Sequence, residues 1–151
     1  VTKFQFTLGR VLDFRRLRAD LAKAALDRLN AERQDLFNQE QALVRMRADE
    51  EGAIREPGTS LTVTNLDALD HLQSFVALAR KRFARQHLEL AARIAKQQTE
   101  VVDADRQVGL LEKLEARQRA EWKTNFNKEL DELAADSYLS RYHRQSKLGD
   151  S

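Results

Sequence analysis

Cysteine is absent from this chain, proline occurs once and glycine five times in 151 residues. Without cysteine, disulfides, thiol catalysis and Cys-ligated zinc are excluded, and the absence fits a reducing cytosol. So little proline and glycine leaves few places to turn, whereas a compact bundle of several helices needs several loops. Long apolar runs are lacking too. None approaches the ~18 residues of a membrane span, and the opening VTKFQFTLGR does not read as a signal peptide. No sign of charge dominates, with 26 Lys and Arg against 24 Asp and Glu and a net charge of +2. Charges mixed this evenly describe a solvated helix surface better than a nucleic-acid-binding face.

What remains is the material of long helices. Charged residues make up 33% of the chain, against about 25% in an ordinary domain. Hydrophobic residues reach 42%, and much of that is Ala and Leu. The first ten residues alternate, with Phe4, Phe6 and Leu8 apolar, as in a short extended lead-in. Thr7 is a candidate N-cap for a helix that starts near Leu8. The single break is AIREPGTSLTVTN, Ala53 to Asn65. Pro57 disfavours helical backbone at Glu56, which ends helix one mechanically. Thr64 with Asp67 approximates a capping box for helix two.

Both helices carry a seven-residue repeat, the signature of one helix wrapping another. In helix one the series Ala22, Leu29, Leu36, Leu43 is accompanied by Ala25, Glu32, Gln39, Met46. In helix two Leu69, Val76, Phe83, Leu90, Gln97, Ala104 and Leu111 recur. Their companions are Arg80, His87, Ile94, Val101, Val108, Glu115 and Trp122. The expected fold is therefore all-α: one elongated domain, residues 1–151, forming an antiparallel two-helix coiled-coil hairpin. Helix one covers about 8–54, the turn about 55–64 and helix two about 65–146. The C-terminal arm is longer. Folded about the break, Leu43 comes near Val76, Leu8 near Leu111, Glu32 near His87, and Gln39 and Glu40 near Arg80.

Beyond about Glu115 helix two runs out of partner. There Trp122, Phe126, Leu130 and Leu133 share one face, and Tyr138 and Tyr142 are read as following on the same side. Burying one large apolar side chain is worth about 1.5–3 kcal/mol, so this stripe invites contact. Three occupants are compatible with it: the chain's own Phe4, Phe6 and Leu8, a second copy, or a groove on another protein.

The same residues carry a resemblance. FQFTLGRVLDFRRLRADLAKAALDRLNAE resembles the N-terminus of the flagellar FliJ family, the small coiled-coil component of the type III export ATPase. LEKLEARQRAEWKTNFNKELDELAADSYLSRY resembles that family's C-terminal helix, with Leu130-Asp131-Glu132-Leu133-Ala134 following Lys128. The resemblance extends over the whole chain in length, helix order and break position. It implies a non-enzymatic stalk and adaptor, cytoplasmic and peripheral to the flagellar basal body at the inner membrane. The implied partners are the hexameric flagellar export ATPase, the cytoplasmic domain of the export gate membrane protein, and export chaperones. No cofactor, no nucleic acid and no membrane insertion are implied. ATPase contact would fall to Arg10, Arg15, Arg16, Trp122, Phe126, Lys128, Leu130, Asp131, Glu132, Leu133 and Tyr138. Gate and chaperone contact would fall to Leu43, Met46, Phe75, Val76, Arg80, Phe83 and His87. Glu50 and Glu51 stand toward the tip where the family can carry an aromatic residue.

Chemistry of a catalytic kind is not spelled out. His71, His87 and His143 are the only histidines, and the first two lie about 24 Å apart along one helix. Asp131 and Glu132 point about 100° apart and do not converge on one atom. RKRFAR, Arg80 to Arg85, is the densest basic stretch, and its charges cover more than one face. A structural coiled coil that self-associates, and a nucleic-acid-binding helical hairpin, are the alternative classes.

Overall fold

The computed structural model describes residues 3–56, 58 and 62–150. Two helices account for nearly all of them: α1, Gly9–Ile54, and α2, Val63–Gly149. No strand occurs among the described residues. The fold is an all-α helical hairpin whose C-terminal arm is the longer. Helix one begins at a backbone turn, with Gly9 N donating to the Phe6 carbonyl at 3.0 Å. At the break, Thr62 rather than Thr64 caps helix two. Its Oγ1 accepts from Asn65 N at 3.4 Å, and its carbonyl accepts from the same N–H at 3.0 Å. Helix two therefore starts at Val63, ahead of the expected position. Pro57, the expected breaker, lies outside the described residues. Gly58 has a φ of 107°, a backbone state that side-chain-bearing residues rarely adopt.

Packing divides the chain into two units, Val1–Arg18 with Ala104–Ser151, and Ala19–Asp103. In the second unit the core is a small cluster of Leu36, Leu90 and Ile94, with Leu26, Leu29 and Phe83 packed against it. The expected helix-two seam is buried or half-buried from Leu69 through Val101, apart from Arg80, whose place is taken by Ala79. Helix one differs. Ala22, Leu29, Leu36 and Leu43 do turn inward, and so does the expected companion Ala25, but beside it Leu26 and, further on, Glu40 and Arg47 also face the seam. Glu32, Gln39 and Met46 are exposed. Leu26 is bulkier and more apolar than Ala25, so the seam widens to include it and beyond it follows the Leu26 side.

Polar side chains join the two helices of this unit. His87 Nε2 lies 2.9 Å from Glu40 Oε2, and Arg93 donates to Glu32 at 3.2 Å. Gln97 donates to the Ala22 carbonyl at 2.9 Å. His87 thus takes Glu40 instead of Glu32, and Glu32 takes Arg93. Both pairs are partly solvated, and such pairs are worth below about 1 kcal/mol each. Their role is alignment more than stability.

In the first unit, Leu12 is buried on helix one. Arg15 donates to Gln107 Oε1, and Arg16 to Glu112 Oε1 at 3.3 Å. Gly109 sits here in mid-helix, and a Cβ added to it would meet nothing within 4 Å. Glycine in a helix interior costs about 0.5–1 kcal/mol relative to alanine. Gly109→Ala should therefore stabilise the protein, raising the thermal midpoint by about 2–4 °C. A lowered midpoint would show that the backbone there needs glycine's freedom.

Candidate interaction surfaces

Two surfaces carry the residues singled out by the sequence, one in each unit. In the unit formed by 19–103, Leu43, Met46, Phe75 and Phe83 line one open groove with Gln39, Ala42, Ala79 and Arg82. The groove follows from the helix-one seam. Because Glu40 and Arg47 face inward, Gln39 and Met46 are left on the flank, beside Phe75. Four of the seven residues expected at the gate and chaperone surface meet here. Three do not. Val76 is buried in the seam, His87 is held by Glu40, and Arg80 is exposed outside the groove lining. Glu51 pairs with Arg47 at 3.1 Å within helix one.

On its helix-two side the groove is lined by one cation, Arg82. From His71 to Leu88 the sequence contains no Asp or Glu, while Arg80, Lys81, Arg82 and Arg85 fall within it and are all exposed. Sequence reasoning missed Ala42 and Ala79 as lining residues. Small side chains give a groove its depth, and a search for aromatic and aliphatic anchors passes over them.

In the other unit the aromatic cluster decides what is free. Phe4 lies 6.1 Å from the Trp122 ring, and Trp122 stacks on Phe126 at 5.1 Å and 15°. The Arg119 guanidinium sits 5.1 Å over Phe4. The N-terminal lead-in thus covers the first half of the stripe, and Trp122 and Phe126 are half-buried. Full exposure of helix two begins only at Asn127, later than the expected Glu115. From there to Asp150 every residue is exposed. Lys128, Leu130, Asp131, Glu132, Leu133 and Tyr138 all fall in this stretch. The three expected arginines split: Arg10 is exposed, while Arg15 and Arg16 are engaged by Gln107 and Glu112.

Tyr138 and Tyr142 do not continue the Phe126–Leu130–Leu133 face. Helical geometry turns Tyr138 about 120° from Phe126, and Tyr142 about 160°. The exposed end therefore presents Leu130 and Leu133 on one side and the two tyrosines on another. Among the described residues no helix is long and apolar enough to cross a membrane. No family model, curated protein or solved structure matches the chain.

Proposed function

We propose that this protein is a non-enzymatic stalk and adaptor of the flagellar type III export apparatus. Its C-terminal end engages the hexameric export ATPase, and its groove serves the export gate and export chaperones. The observation that carries the reading is the exposed helical end, 127–150. Apolar groves of one-sided shape cover one face of a helix. Leu130 and Leu133 lie on one side here and Tyr138 and Tyr142 on another, so a partner that surrounds the helix covers both. A ring with a central pore is such a partner. Asp131 and Glu132 are exposed where basic pore residues would meet them. Arg10 is available to acidic ones, whereas Arg15 and Arg16 already hold the two helices together. The nucleotide chemistry belongs to the ring. In this reading the protein works at the cytoplasmic face of the flagellar basal body.

The groove of Leu43, Met46, Phe75 and Phe83 is open and apolar, with Arg82 in its lining. It suits an amphipathic segment of a second partner class, the gate or a chaperone.

The test is turnover of the purified cognate ATPase with wild-type protein and with Leu130→Ala/Leu133→Ala. Both leucines are exposed, so the variant keeps its fold. Wild-type protein should raise assembly and turnover, and the variant should need about tenfold more protein for the same effect, a loss of about 1.4 kcal/mol. If wild-type protein neither binds the ATPase nor alters its turnover, the stalk reading fails.

A further inference from the structure

Helix one carries a second apolar stripe, on a face the hairpin does not use. Val11, Phe14 and Leu17 recur every three residues and are exposed, Phe14 and Leu17 each by 55%. The seam side of the same segment is marked by buried Leu12. The stripe is rimmed by Arg10 and by Arg18, whose guanidinium lies 5.9 Å over the Phe14 ring. The one acid of this segment, Asp13, lies 3.9 Å from Arg16. What faces outward is apolar and positive.

Around Leu130 and Leu133 the exposed end of helix two has the opposite character. Leu130 and Leu133 are 45% and 57% exposed and adjacent on one face. Glu129, Asp131, Glu132 and Asp136 surround them, with Lys128 as the single cation between Asn127 and Ser140. No ion pair occupies these four carboxylates among the described residues.

One chain cannot bring these two surfaces together. Arg15 is level with Gln107, and Leu130 lies about 35 Å further along the helix. That helix runs on past Phe4, away from Phe14. We propose that the free protein pairs with a second copy of itself. The Val11–Phe14–Leu17 stripe of each copy takes the Leu130–Leu133 stripe of the other, and Arg10 and Arg18 face the four carboxylates. A two-fold axis repeats the contact, so every copy gives both surfaces and receives both. Apolar burial supplies attraction, and the charges select the partner and the direction. This pairing does not depend on the export reading. It uses Leu130 and Leu133, as ring engagement does, so the two states exclude one another.

The experiment is sedimentation equilibrium of the full chain with two charge reversals, Arg10→Glu/Arg18→Glu and Asp131→Arg/Asp136→Arg. All four positions are exposed, and circular dichroism checks that helicity is kept. Wild-type protein should dimerise, with affinity falling about tenfold or more from low to high salt. Each reversal should be monomeric alone, because like charges then face each other at both contacts. An equimolar mixture should restore the dimer, since both contacts again join opposite charges. The proposal is overturned if wild-type protein is a monomer at every concentration, which would leave the stripes to other partners. It is equally overturned if the reversed variants still dimerise, or if mixing them restores nothing.

Discussion

Leu90→Ala should lower the unfolding free energy by about 2–4 kcal/mol. Leu90 is 6% exposed and packs in the one small cluster that Leu36 and Ile94 share with Leu26, Leu29 and Phe83. The cost has two parts: lost transfer of the side chain from water, and a hole that rigid neighbours fill only in part. A hairpin of two helices has few neighbours to move into that hole. Only six hydrophobic residues among those described are buried, so each carries a large share of the cohesion. The control is Leu88→Ala, two residues away and 74% exposed. It should fall within about 0.5 kcal/mol of wild type. Urea unfolding followed by circular dichroism separates the two. Equal losses would mean that the Leu36–Leu90–Ile94 cluster does not hold the hairpin.

The second large effect concerns Phe4. The chain has one tryptophan, and its ring is held between Phe4 and Phe126. Phe4→Ala removes a ring contact with Trp122 and the platform beneath Arg119. Aromatic pairs contribute about 0.5–1.5 kcal/mol beyond their buried area. The lead-in has no helix of its own to hold it, so the loss should free it from helix two. Trp122 fluorescence then shifts to longer wavelength, and quenching by acrylamide rises severalfold. Phe6→Ala serves as comparison. An unchanged Trp122 spectrum in Phe4→Ala would show that the lead-in does not cover the indole in solution.

Much of this arrangement was legible in the residues. Helix ends were expected at 8 and 54 and at 65 and 146, and lie at Gly9 and Ile54 and at Val63 and Gly149. The repeat through Val76, Phe83 and Leu90 fixes which face of helix two turns inward. It does not fix the offset along the axis. A repeat looks alike after each step, and long side chains such as Glu and Arg reach across a turn. That is why His87 could be matched to Glu32 and yet meets Glu40. On helix one the companion series departs from the expected one beyond Ala25, at Glu32, Gln39 and Met46, for a related reason. Ala25 and Leu26 are both apolar and both half-buried, and only packing against the second helix decides whether the spacing of three or of four continues beyond them.

The cover on Trp122 was among three open alternatives, because an extended lead-in has no period to align with a helix. Tyr138 is a plainer matter of angle. Spacing by four drifts steadily around a helix of 3.6 residues per turn, and over three such steps from Phe126 the drift carries it off the face. The outward stripe of Phe14 and Leu17 does not stand apart in the sequence, where Leu8, Val11, Leu12, Phe14, Leu17 and Leu21 form one broad apolar pattern. Burial of Leu12 separates the stripe from the seam.

Selection for folding has little hold on the stretch from Asn127 to Asp150, since none of its side chains is buried against the rest of the molecule. Mutational drift there is checked only by helix propensity, solubility and whatever the segment binds. Leucine is no better a helix former than Arg, Lys, Gln or Glu and tyrosine is a poorer one, so Leu130, Leu133 and Tyr138 gain nothing over polar residues on the first count and subtract from the second. In a set of relatives, apolar residues retained at these positions would record binding alone, undiluted by the demands of a core. The seam cannot offer so clean a signal, because at Leu36 or Leu90 the pressure to stay folded would hide any other.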